Sequence, residues 1–362
     1  MRVLILSADI GEGHDLPARA LRDAIAASDP AAEVAIRDSL EIAGPLVRGL
    51  VREGAEVILE RVVWLFDFQY WLIARFPPTR AFAGALGVVL AGRRLRRAIA
   101  QARPDVVVST YPGATHVLGA LRRRGWIRVP VVSAITDLAA LRYWSHPGCD
   151  AHLVIHPESA AEIRSIAGEG ASIAHVRGLT SAEFERPADG ARMREELGMP
   201  GDAPVVAVSG GGWAVGDLRG AVEAALQAAG DVRVVALCGR NAAVRDRLTA
   251  AFGADPRVVV LGFTDRMGDV LAAADVLIHS TAGLTVLEAL VRGTRVISYG
   301  WGVGHIRLNN EAYVRFGLAD VVAERAQLTA AVRRALASPR RPDATYAQLP
   351  AAADLVLALA RR

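Results

Sequence analysis

Short apolar runs alternate along this chain with longer amphipathic stretches. Residues 3–8, 34–37, 106–109, 131–135 and 153–155 predict a first series of strands, and 205–209, 232–237, 258–261, 276–279 and 295–298 a second. The runs are apolar on consecutive positions, as in strands buried on both faces. The intervening stretches carry helical spacing, so the pattern predicts parallel sheets covered by helices. Both series open alike, with a strand, a glycine loop and a helix. In the first, the loop Gly11-Glu-Gly13-His14 leads to a helix from about Pro17 to Ala27. In the second, Gly210-Gly211-Gly212 leads to one from about Asp217 to Ala229. Residues 178–204 read as the linker. The expectation is an α/β fold of two facing Rossmann-like domains with a cleft between them: residues 1–185, residues 186–345, and a final helix in 346–362 that packs back on the first domain.

The most informative segment is His279-Ser-Thr-Ala-Gly-Leu-Thr-Val-Leu-Glu288-Ala-Leu-Val-Arg-Gly293. It reads as a strand end, a loop of small residues and a short helix closed by glycine. The first turn of such a helix offers unsatisfied N–H groups that suit a diphosphate. Glu288, one turn inside, has the chemistry to accept from two ribose hydroxyls. Thr285-x-x-Glu288 also fits a capping box, in which both side chains serve only the helix end. At the N-terminus, Gly11-x-Gly13 followed by Asp38 partly matches a dinucleotide fingerprint. The third glycine would fall at Leu16, and His14 and Asp15 would crowd a pyrophosphate, which argues against NAD(P).

Composition narrows the class. At 362 residues, 52% hydrophobic and 22% charged, the chain is expected to fold into large cores. The uncharged run 81–92, of 12 residues, is too short to span a bilayer, and 3–6 is too short for a signal-peptide core, so the expected location is the cytoplasm. Cys149 and Cys238 form no metal-binding pattern. All 42 basic residues are arginine, and they are unevenly placed. Residues 46–103 hold 10 Arg against 4 acidic residues, a local +6 where the whole chain sums to +4. Nothing in this distribution points to nucleic acid.

Taken in order, several motifs resemble those of the inverting GT-B glycosyltransferases that include monogalactosyldiacylglycerol synthases and processive diacylglycerol glucosyltransferases. The peptidoglycan transferase acting on lipid I is a more distant relative. The motifs are SADIGEGH at 7–14, ITDL at 135–138 with Trp144 and Asp150 behind it, SGGGWAVG at 209–216, CGRN at 238–241, GFTDRM at 262–267 and STAGLTVLEAL at 280–290. The resemblance implies a UDP-sugar donor, a lipid acceptor and no cofactor or metal. No Asp-x-Asp pair of the metal-dependent sugar transferases occurs in the chain. By position it implies Gly210, Gly211 and Gly212 against the diphosphate, and Asn241 within the donor motifs. Phe263 and Met267 would lie beside the uracil, although core packing also accounts for them. Ala282, Gly283, Leu284 and Thr285 would serve the phosphates, Glu288 the ribose, and His305 and Asn309 the sugar. For the base that activates the acceptor hydroxyl it offers His14 and Asp9, with Asp137 at another strand end. The chain departs from the family at Gly304-His305-Ile306, where Gly-Gln-Glu is common, and at Thr180-Ser181.

Seven of the chain's 20 aromatics, among them Trp64 and Trp71, fall within residues 64–82, inside the basic segment. With Arg93, Arg94, Arg96 and Arg97 they suit the headgroup layer of an anionic membrane, and a peripheral position on the inner face of the cell membrane is expected. An amphipathic insertion with a solvated arginine face is the alternative. A soluble acceptor, or sugar-nucleotide binding with little turnover, remains compatible with the same residues.

Overall fold

A computed structural model describes residues 1–10, 12–53, 76–281, 283–300, 302, 304–340 and 345–362. Trp64, Trp71, Gly11 and Ala282 lie outside the described residues. The chain divides into two compact units. Met1–Ala182, Val303–His305 and Gln348–Arg362 form the first; Glu183–Gly302 and Ile306–Ala347 form the second.

The first unit is built on six parallel strands, β1 (Arg2–Ser7), β2 (Glu33–Asp38), β3 (Val106–Ser109), β4 (Val131–Ile135), β5 (Ala151–Val154) and β6 (Ile173–His175), in the order β2-β1-β3-β4-β5-β6. The second holds β7 (Val205–Ser209), β8 (Arg233–Leu237), β9 (Val258–Leu261), β10 (Val276–His279), β11 (Arg295–Tyr299) and β12 (Asp320–Val322), in the order β12-β11-β10-β7-β8-β9. All ten expected strands are present. The two that the pattern missed, β6 and β12, are edge strands of three residues, only partly buried, and so carry no continuous apolar run. The central strands β3, β4, β7 and β10 are buried at every position, which is why their sequences read as unbroken apolar segments.

Two local features differ from expectation. The first helix runs Glu12–Ser28, starting at Glu12 rather than near Pro17, which puts His14 in its first turn instead of in the loop. Pro17 has no N–H for the Gly13 carbonyl four residues back, and the Thr136 hydroxyl approaches that carbonyl at 3.5 Å. The stretch 178–204 holds the boundary between the units, at Ala182 and Glu183, but it is not linker throughout. Phe184, Met193 and Met199 are buried, and the Glu183 carboxylate accepts from the Gly268 amide at 2.7 Å, so from Glu183 on the segment is part of the second unit. Residues 348–362 group with the first unit: Arg177 donates to the Pro350 carbonyl and accepts from the Ala352 amide.

A histidine cluster in the first unit ties its stability to pH. His116 and His146 rings lie 5.4 Å apart, His146 Nδ1 accepts from the Gly148 amide at 2.9 Å, and His152 Nε2 accepts from the His146 amide at 3.3 Å. Accepting requires the neutral ring. Burial, reinforced by neighbouring His116 and arginine charges, pushes His146 down to about 4, and burial also lowers His116 and His152. An unfolded histidine titrates near 6.5, so the unfolded chain takes up protons first as the medium is acidified. Stability is therefore full above pH 6.5 and is expected to decline between 6.5 and about 4. Melting temperatures measured across pH 7 to 4.5 check this, and a flat profile would contradict it.

Candidate active site

In an open parallel sheet, ligands bind beyond the carboxyl ends of the strands, where the strand order reverses. In the first unit that reversal lies between β1 and β3. It brings the start of helix Glu12–Ser28 beside the residues that follow β3. His14 Nδ1 lies 2.9 Å from the Thr110 carbonyl oxygen, across 96 residues of sequence. A carbonyl only accepts, so Nδ1 carries the hydrogen, and in the neutral ring Nε2 keeps its lone pair. Burial lowers the His14 pKa from its usual 6.5, opposed by the Asp137 charge and the Thr110 carbonyl. The ring is thus neutral at pH 7 and able to accept a proton at Nε2.

Two aromatics fix the plane of that imidazole. Tyr111 meets it edge-on at 5.3 Å and Trp144 lies at 5.8 Å. The Trp144 side chain is fully buried, and its indole N–H donates to Asp137 Oδ2 at 2.7 Å. Asp137, held by that bond, is close enough for its charge to act on the His14 ring. Asp9 is exposed in the loop after β1, and Asp15 accepts from the Ser7 hydroxyl. Of the three residues named for proton transfer, His14 and Asp137 come together, and His14, half-buried, keeps its Nε2 lone pair. Tyr111 carried no sequence signal, because its partner arrives from another strand. Asp150, behind the ITDL motif, is a brace: it takes two bonds from Arg122, both at 3.0 Å, and one from the Val131 amide at 2.8 Å.

The second unit reverses between β7 and β10, and the two small-residue loops expected at a diphosphate leave these neighbouring strands. The Ser280 hydroxyl donates to the Val215 carbonyl. A Cβ added at Gly210 would lie 2.3 Å from the Val215 carbonyl oxygen, and Gly211 adopts φ +71°, so both positions are restricted to glycine. Gly212 accepts from the Arg240 amide at 2.8 Å through its carbonyl. Helix Leu284–Val291 begins right after Gly283, its N-cap, with no side-chain cap. Thr285 is its second residue and not its cap, so the capping box does not form. Its first-turn amides, including those of Leu284 and Thr285, are the ones a helix leaves without partners in its own ladder. Glu288 is buried on the same helix, 5% exposed.

Phe263 is 56% exposed, with the Arg240 guanidinium 4.3 Å above its ring, which removes core packing as its explanation. Met267, half-buried, opens helix Met267–Ala273. Asn241 caps helix Ala242–Phe252 through Oδ1 and donates through Nδ2 to the Trp213 carbonyl at 3.1 Å, so its side chain holds the glycine loop. His305 is exposed at the start of helix His305–Phe316, and Asn309 on that helix is buried.

The four arginines are all exposed, but they do not have the same partners. All lie on helix Pro77–Ala102, but Arg94 reaches back to the Ala43 carbonyl, under Gly44. Arg93, Arg96 and Arg97 are exposed, and Phe82, Leu86 and Val89 are exposed on the preceding turns. Among the described residues, no helix is long and apolar enough to cross a membrane.

Two six-stranded parallel sheets, each with a candidate site at its switch point, define the GT-B class of fold. The solved structure of SsfS6, a glycosyltransferase from Streptomyces sp. SF2575, matches it with a TM-score of 0.61 over 99% of both chains at 16% identity. Residues 14–179 match the family model described as monogalactosyldiacylglycerol (MGDG) synthase, and the chain is similar to monogalactosyldiacylglycerol synthases and processive diacylglycerol glucosyltransferases. It is 29% identical to a probable chloroplastic monogalactosyldiacylglycerol synthase 2 of Oryza sativa over 82% of this chain, and spans 65% of that relative's length. A processive diacylglycerol beta-glucosyltransferase of Bacillus pumilus is 23% identical, over 89% of this chain and 83% of its own length.

Proposed function

We propose that this protein is an inverting glycosyltransferase that moves a hexose from a UDP-sugar to the hydroxyl of a diacylglycerol-type lipid at the cytosolic membrane face. The observation that carries the reading is His14, neutral, half-buried and bonded through Nδ1 so that Nε2 is free. In the proposed step Nε2 takes the proton of the acceptor hydroxyl while its oxygen attacks the anomeric carbon. The bond to UDP breaks on the opposite face, which inverts the configuration. The negative charge that develops on the diphosphate meets the first-turn amides of helix Leu284–Val291 and the loop at Gly210–Gly212. The chemistry enlists no further cofactor, because fixed backbone dipoles receive that charge. Asp137, held by Trp144, stabilises the imidazolium that forms.

UDP release, measured with a panel of UDP-hexoses in the presence of mixed-lipid vesicles, tests the reading. Release that depends on a lipid hydroxyl is expected. Release with soluble acceptors only would favour a soluble substrate. UDP binding without release would favour a sugar-nucleotide-binding protein, as the exchange of the usual Gln-Glu for His305-Ile306 suggests.

Membrane contact is proposed to run through Arg93, Arg96 and Arg97 with Phe82, Leu86 and Val89. Each arginine near an anionic surface contributes about 1 kcal/mol. Replacing the three with glutamine is expected to release the protein from anionic vesicles by tenfold or more while UDP affinity stays unchanged. Arg94→Gln, whose side chain is turned to Ala43, should affect vesicle binding less. Sedimentation at several salt concentrations checks this, and binding indifferent to the three arginines would contradict it.

A further inference from the structure

Thr281, just before the helix that offers its amides, is absent from the residues the family resemblance assigns to the donor. It lies in the turn after β10, and its amide donates to His279 Nδ1 at 3.0 Å. His279 is 1% exposed at the end of β10. With Nδ1 accepting, the neutral ring carries its hydrogen on Nε2. The Thr281 hydroxyl oxygen lies over this ring edge, 3.3 Å from Nδ1 and 3.5 Å from Nε2. The Nδ1 lone pair is already engaged by the amide, which leaves the hydroxyl hydrogen free to turn elsewhere. Across from it stands Gly211, at which an added Cβ would sit 3.4 Å from that same oxygen. The hydroxyl is therefore held between a buried imidazole and the glycine loop, at the strand switch point of the second unit.

We propose that the Thr281 hydroxyl donates a hydrogen bond to the diphosphate of the nucleotide donor, and that His279 is the positioning residue that holds it there. The proposal rests on the donor reading given above and extends it to two residues. His279 acts through the turn and does not touch the ligand. Its side chain locks Thr281, while Ser280 locks the same turn to Val215 on the other side. The ligand chemistry is a diphosphate ester, so the contact discriminates UDP from uridine.

The test compares UDP with uridine by calorimetry on four variants. Thr281→Val keeps the shape and removes the hydroxyl; Thr281→Ser keeps the hydroxyl. His279→Asn keeps an acceptor near the Nδ1 position; His279→Leu removes it. A hydrogen bond to a charged group is lost in Thr281→Val, so UDP affinity should fall roughly 10- to 100-fold while uridine affinity holds. Thr281→Ser should restore most of it. His279→Leu should lose UDP affinity, His279→Asn should retain it, and the His279→Leu loss should not add to that of Thr281→Val. In turnover the loss should appear in KM for the donor more than in kcat. Unchanged UDP affinity in Thr281→Val overturns the proposal alone, as does an equal loss for UDP and uridine. Failure of the unaltered protein to bind UDP overturns the donor reading and this proposal with it. Thermal melts of each variant separate these outcomes from loss of fold.

Discussion

Replacing His14 with alanine is expected to lower turnover by roughly 10²–10⁴-fold while leaving UDP affinity unchanged. The size follows from the loss of a positioned proton acceptor. Donor affinity survives because His14 belongs to the first unit and the diphosphate loops to the second. Asp137→Asn should cost less, because the amide oxygen still accepts from Trp144 and only the charge near the imidazole is lost. Asp9→Asn should cost least, since Asp9 is exposed. The pH profile supplies a second check. Burial lowers the His14 pKa, so the ring stays deprotonated below 6.5, and the acidic limb of kcat/KM should lie below that value. Wild-type turnover in His14→Ala would move the base to Asp137.

Glu288→Ala should weaken UDP binding by about 1–3 kcal/mol, the cost of losing hydrogen bonds to a charged group. Glu288 is buried in helix Leu284–Val291 and Thr285 does not cap that helix, so an effect confined to helix stability is not expected. The 2′-deoxy nucleotide sharpens the measurement. If the carboxylate accepts from the ribose hydroxyls, the penalty of Glu288→Ala should shrink when one hydroxyl is absent. An equal penalty for both nucleotides, or a lowered melting temperature with intact UDP affinity, would remove Glu288 from the ribose.

Much of the candidate donor site was legible because it is local. The strand, the small-residue loop and the helix start all fall within residues 276–291, and Phe263 and Asn241 sit beside strand ends that the apolar runs already located. Three features were not legible. Arg94 looks like its neighbours Arg93, Arg96 and Arg97 until its partner at Ala43 is known, and that partner is 51 residues away. Thr281 and His279 read as loop and strand end, since the bond between them depends on how the turn closes. Tyr111 became part of the site only when β3 paired with β1.

The amino-acid sequence by itself determined the units of structure. Runs of apolar residues specify buried strands, glycines specify tight approaches, and small residues before a helix specify an anion-binding start, each through interactions within a few residues. Tertiary structure alone decided the order of the strands, and with it the two switch points. It also decided the protonation state of His14, whose nitrogen finds its carbonyl 96 residues away and whose burial keeps the ring neutral. Such partners come from long-range packing. A residue's local pattern shows which chemistry it carries, but which atom is left free depends on the neighbours that folding supplies.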